Sequence, residues 1–109
     1  MTTKYKVICT PAAIDDLRDI YFYIAIDLNE PKVAKNQVDR IRSMIKKLGE
    51  FPKRHPKVDG EPWTSMGIRK VPVDKYVVYY LVREEHRLVF IVRIFYGGRD
   101  VSQVLLEDK

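Results

Sequence analysis

The chain predicts an α+β fold built as a single domain over residues 1–109: an N-terminal strand, an antiparallel helical hairpin, then a three-stranded antiparallel meander. The meander forms a sheet with the helices on one face, and a short tail closes the chain. Two patterns carry this. In the first half apolar residues recur at intervals of three and four, the period of a helix face, whereas in the second half β-branched and aromatic residues crowd three short segments. The third observation is size: 109 residues, 46% of them hydrophobic, are enough for one packed core and too few for two.

Residues 5–10 form a short apolar strand ending at Thr10-Pro11, where Thr10 suits an N-cap and Pro11 the first helical position. Ala13, Leu17, Ile20, Ile24 and Leu28 then mark one apolar helix face, with Asp15 and Asp16 in the first turn, where the helix dipole favours acids. This helix stops near Asn29, and Pro31 opens the next. Ala34, Val38, Ile41, Ile45 and Leu48 form its buried stripe, and Gly49 ends it. The short connection makes the pair an antiparallel hairpin. Pro52, Pro56, Gly60 and Pro62 break up residues 51–65, which read as a loop. Strands are expected at residues 67–73, 76–83 and 88–96, joined by turns at Asp74-Lys75 and at residues 84–87. Gly97-Gly98 ends the last strand, and residues 99–106 are read as a short tail helix.

Strand alternation assigns faces. Leu88, Phe90, Val92, Ile94 and Tyr96 share an apolar face, expected to meet the helices. Val89, Ile91, Arg93 and Phe95 are placed on the other, so Arg93 stands in mid-strand away from the helices, either solvated or paired across the sheet.

The net charge is +5, which points to nucleic acid, an acidic membrane surface or an acidic protein as partner. The bias concentrates between residues 32 and 75, with 8 lysines and 4 arginines against 5 acidic residues. Lys32, Lys35, Arg42, Lys46 and Lys47 read as a solvated face of the second helix. Lys53, Arg54, His55 and Lys57 fill the loop beside Trp63 and read as a binding cluster.

Cys9 is the only cysteine, so no internal disulfide forms, and a reducing, cytoplasmic setting is expected. No apolar run approaches a membrane span, and residues 1–6 hold no signal core. His55, His86 and Cys9 lack any metal-ligand spacing, and there is no phosphate-cradling glycine loop or nucleophile motif. No cofactor and no metal are expected. Any catalysis has to use Arg, Lys, His or Tyr on phosphate.

Read together, Tyr5-Lys6-Val7-Ile8, Thr10-Pro11-Ala12-Ala13, Asp16-Leu17, Ile20 and Tyr23-Ile24 resemble the opening of RelE/ParE toxins. Phe51-Pro52, Gly67-Ile68-Arg69, the strand over residues 76–82 and the stretch from Val92 through Arg93, Tyr96, Gly97-Gly98 and Arg99 to Asp100 continue the likeness over nearly the whole chain. The resemblance implies the toxin of a type II toxin–antitoxin pair, partnered by a cognate acidic antitoxin. RelE-type members are ribosome-dependent, metal-free mRNA endonucleases that use Lys and Arg on the sheet face, some with a tyrosine near the C-terminus. ParE-type members poison DNA gyrase and are not nucleases. Carried over residue by residue, Arg69 falls on a basic strand position of the RelE-type pattern and Arg99 on its late arginine. Val77 and Leu105 fall where that pattern has an arginine and the terminal tyrosine. The stretch from Arg93 to Asp100 is closer to the ParE branch.

Three functions follow: a gyrase-binding growth inhibitor, which is favoured; a ribosome-dependent mRNA endonuclease; or an inactive relative. Arg69, Arg99, Tyr96 and His55 are the catalytic candidates. Arg69, Arg93, Arg99, Lys53, Arg54, Lys57 and Trp63 are the target-binding candidates.

Overall fold

The structure is a computed structural model that describes residues 4–97; the expected tail helix and Arg99 lie outside them. In chain order the elements are β1 (Lys6–Cys9), α1 (Pro11–Phe22), a π-helical turn (Tyr23–Asp27), α2 (Pro31–Lys47), a 3-10 turn (Pro52–Arg54), the one-turn α3 (Trp63–Met66), β2 (Arg69–Val73), β3 (Tyr76–Arg83), a 3-10 turn (Glu84–His86) and β4 (Leu88–Tyr96). The α+β class and the hairpin-then-meander order are as expected.

Thr10 begins α1 as its side chain accepts the Ala13 N–H at 3.2 Å. The same hydroxyl donates to the carbonyls of Ile91 (2.8 Å) and Val92 (3.1 Å), so it fastens the start of α1 to β4. At the other end of the helix the ladder widens into the π-turn, with Leu28 N–H reaching Tyr23 O at 3.0 Å.

The sheet has the order β1-β4-β3-β2. β3 pairs antiparallel with both β2 and β4, as a meander requires. β1 lies parallel to β4, so the sheet is mixed and not wholly antiparallel. The hairpin supplies the crossover that a parallel pairing of β1 needs.

The face assignment of β4 needs correction. Tyr79 pairs with Arg93 while Tyr80 pairs with Ile91, so Val92 is one residue too many and β4 bulges there. Before the bulge Val89 and Ile91, not Leu88 and Phe90, join Leu17, Ile20, Val38 and Ile41 in the core against the helices. Ile94 faces the helices as expected. One inserted residue exchanges the faces, because side chains alternate with period two.

The opposite face is covered as well. Val58, Trp63 and Ile68 from the segment between α2 and β2 pack on Tyr79 and Phe95, with Val77, Leu81 and Val92 at the margin. The expected loop thus folds back as a cap, held by Val58 N–H to Ile68 O (2.8 Å) and Thr64 Oγ1 to Val58 O (2.9 Å).

Candidate functional site

The basic loop is clamped from within the protein. The Tyr80 hydroxyl donates to Pro52 O at 2.5 Å, and Arg69 Nη1 donates to the carbonyls of Lys53 (3.1 Å) and His55 (2.7 Å). These bonds hold the 3-10 turn so that Lys53, Arg54 and Lys57 project into solvent. Burial raises the Tyr80 phenol to about 12 against the lowering influence of Arg69 and Arg54. Lys53 pairs with Glu84, which also accepts from Tyr5. The Lys53 bond is the main reason that the Glu84 carboxyl lies below its usual range.

His55 stands edge-on to Tyr80, with 6.5 Å between centroids, and its Nε2 accepts from Arg54 Nε at 3.4 Å. Partial burial first, then the charges of Arg54 and Arg69, lower its pKa. A neutral imidazole beside two guanidiniums can accept a proton next to a bound anion. Lys53, Lys57, Arg69, Arg83 and Glu84 border a shallow depression of about 170 Å³.

The structure therefore brings Lys53, Arg54, His55, Lys57 and Arg69 together. It does not bring the other expected residues to them. Trp63 is 4% exposed at the centre of the cap, so it seats the segment and presents no stacking face. Arg93 does not stand apart from the helices: its guanidinium is bidentate to Asp16 on α1, at 2.8 and 2.9 Å. Tyr96 lies edge-on to Tyr76 at 5.9 Å between centroids. Arg99 lies outside the described residues.

A second surface runs along the helical hairpin. Ile14, Leu17, Tyr21, Phe22, Val38 and Ile45 line a groove of about 940 Å³, with Arg18, Lys35, Asp39 and Arg42 also on its wall. Arg18 pairs with Asp15 and Lys35 with Asp39, so Arg42 is the cation there with no ion pair among the described residues. An apolar groove with such a cation on its wall suits an amphipathic peptide segment that carries acidic residues. Among the described residues no group of His, Cys, Asp and Glu is arranged to hold a metal ion, and no helix is long and apolar enough to cross a membrane.

The family described as ParE toxin of type II toxin-antitoxin system, parDE, matches residues 7–101, from β1 through β4. This chain belongs to that family. It is a ParE-family toxin of a type II toxin–antitoxin system.

Solved structures give the same fold. The ParE-family chain resembles a chain of the chromosomal ParDE system from P. aeruginosa, with a TM-score of 0.70, 21% identity, and 87% and 98% of the two chains covered. It resembles a chain of the toxin-antitoxin complex RelBE2 from Mycobacterium tuberculosis at TM-score 0.63 and 20% identity, covering 91% of this chain and 97% of that one. A mutant of E. coli toxin RelE in the free state gives 0.66 and 17%, with 96% and 94% covered. A search of curated proteins gives no match.

Sequence reasoning missed three features of this ParE-family toxin. The acidic first turn predicts a dipole role for Asp16, yet its carboxylate also accepts the Ile94 N–H at 2.9 Å and so ties α1 to β4. Glu84 falls in a predicted turn, and no local pattern points to its pairing with Lys53. The hairpin groove had a visible signal: Ile14, Tyr21 and Phe22 are apolar residues off the buried stripe of α1.

Proposed function

We propose that this toxin arrests growth by binding an essential protein target, DNA gyrase, as the ParE branch does. The supporting observation is Val77. Where the RelE-type pattern carries an arginine on the second meander strand, Val77 packs into the apolar cluster with Trp63, Tyr79 and Phe95. An apolar face under a cap has no charged group there to meet the developing charge of phosphoryl transfer. The family match favours the same branch.

Lys53, Arg54, Lys57 and Arg69 then serve as the cationic part of the target-binding surface. The antitoxin lies in the hairpin groove, its apolar residues against Ile14, Tyr21 and Phe22 and its acidic residues against Arg42. Segments that fold on binding cover such surfaces well.

One observation favours the second reading, mRNA cleavage on the ribosome. His55 with a lowered pKa beside Arg54 and Arg69 is a metal-free base next to two phosphate-binding cations. Parallel assays of the purified toxin separate the two. Incubation with gyrase, ATP and supercoiled plasmid is expected to yield protein-linked DNA breaks. Incubation with programmed ribosomes in magnesium buffer, which keeps the subunits joined, is expected to leave mRNA whole. Ribosome-dependent cuts without DNA breaks would overturn the gyrase reading in favour of the nuclease. Normal growth of cells expressing the folded toxin alone would identify an inactive relative.

A further inference from the structure

A tyrosine-lined cleft opens on the other side of α1 from the hairpin groove. Tyr23 begins the π-turn, Tyr76 begins β3 and Tyr96 ends β4, and the three line a cleft of about 460 Å³ together with Asp16 and Asp19. Tyr23 and Tyr96 are about half exposed, at 52% and 55%. Tyr76 and Tyr96 meet edge-to-face, with 5.9 Å between centroids. After burial, the proximity of Tyr23 and Tyr96 is what raises the Tyr76 phenol, so all three rings converge on one place.

The carboxylates of this helix differ in their commitments. Asp15 pairs with Arg18 and Asp16 with Arg93. Asp19 has no side-chain partner among the described residues, although it lines the cleft. One uncompensated carboxylate beside three phenol rings is the arrangement that holds a cationic side chain, through ring faces and a charge-assisted hydrogen bond. This lies on a protein whose net charge is +5 and whose other binding surfaces are cationic.

We propose that the Tyr23–Tyr76–Tyr96 cleft with Asp19 receives one arginine or lysine side chain of the antitoxin. This rests on the reading that an antitoxin segment occupies the hairpin groove. The groove and the cleft are separated by the width of α1, about 10 Å, so one segment crossing that helix reaches both. Acidic residues answered on the groove side and a single cation answered in the cleft fix the segment's register. A pairing of opposite signs at the two sites rejects non-cognate antitoxins of uniform charge.

The test uses full-length toxin and its purified cognate antitoxin in a binding titration. Asp19→Asn and Tyr96→Ala change exposed side chains and are expected to keep the thermal melt of the parent. Each is expected to weaken binding about tenfold or more, whereas Asp15→Asn leaves it unchanged. Asp19→Lys is expected to regain affinity with one antitoxin variant, in which a single Lys or Arg is replaced by Glu. Parental affinity in Asp19→Asn and Tyr96→Ala, or an equal loss in Asp15→Asn, overturns the cleft as a receptor. Failure of the parent toxin itself to bind overturns the antitoxin reading beneath it, a different result from a parent that binds and variants that do not lose affinity.

Discussion

The carboxylate of Asp16 on α1 and the guanidinium of Arg93 on β4 form a bidentate pair 77 positions apart in the chain, with Nε–Oδ2 at 2.8 Å and Nη2–Oδ1 at 2.9 Å. Ile94 N–H adds a third bond to Oδ2 at 2.9 Å, and the Arg93 guanidinium carbon lies 4.5 Å from the Phe95 ring centroid. The pair links the helical layer to the sheet just past the β4 bulge. It is also mostly buried, with side-chain exposures of 18% and 10%.

Removing one partner of such a pair leaves the other charged and poorly solvated. Asp16→Ala and Arg93→Ala are each expected to cost about 3 kcal/mol. In a domain of this size that lowers the melting temperature by roughly 10–20 °C. Arg93→Lys recovers little, because an ammonium cannot make the two parallel bonds. Toxicity in the Arg93→Ala cells should fall only in step with stability. Normal melting together with lost toxicity would return Arg93 to the target-binding surface.

Trp63 anchors the cap over the outer sheet face. Trp63→Ala is expected to cost about 3–5 kcal/mol in cavity and lost contacts. Since few long-range bonds hold residues 56–68, the loss should show first as local opening. Hydrogen exchange at the Val58 and Ile68 amides, which bond to Ile68 O and Trp63 O, is the measurement. Unchanged protection there would mean that the cap is held by something other than the tryptophan.

Two groups of the basic end give stability a pH dependence. His55 has a lowered pKa when folded, so the unfolded chain binds its proton more readily. Stability is full above the ordinary histidine value of about 6.5 and declines as pH falls below it. Tyr80 is shifted the other way, to about 12. Its contribution is full below about pH 10 and is lost as pH rises from there towards 12. Denaturant titrations across pH should therefore show His55→Gln flattening the acid limb and Tyr80→Phe flattening the alkaline limb. Tyr80→Phe also loses the bond to Pro52 O and should be less stable by about 1–2 kcal/mol at neutral pH.

Association with an acidic antitoxin should slow as ionic strength rises, because opposite charges steer the encounter. Arg42 lines the hairpin groove on the exposed side of α2. Arg42→Glu is expected to lower the association rate several-fold in dilute salt and much less at high salt, as long-range steering predicts. Stopped-flow mixing over a salt series measures both. A rate insensitive to salt in the parent protein would remove charge from the account of recognition.

The order of elements and most of their ends could be read from local patterns, and the family from the resemblance those motifs carry in series. Thr10 before Pro11, Pro31 at the head of α2 and the alternation in β3 are decided within a few residues of chain, where capping, backbone restriction and side-chain period act. The cluster at Lys53, Arg54, His55 and Lys57 was visible for the same reason: contiguous residues in a loop stay close in space. Arg69 joins them through the pairing of β2 with β3 and the fold-back of the 3-10 turn over Tyr80.

Tertiary structure decided the rest. The parallel seat of β1 beside β4, the bulge at Val92, the burial of Trp63 and the meeting of Tyr23, Tyr76 and Tyr96 all depend on how distant segments register. Local sequence carries the period of a strand but not the one extra residue that a bulge inserts, and that residue exchanges the faces on its two sides. Arg93 shows a further dependence. Its position in mid-strand was plain from the sequence, which left open whether it is solvated or paired, but only the packing of α1 against β4 makes Asp16 its partner.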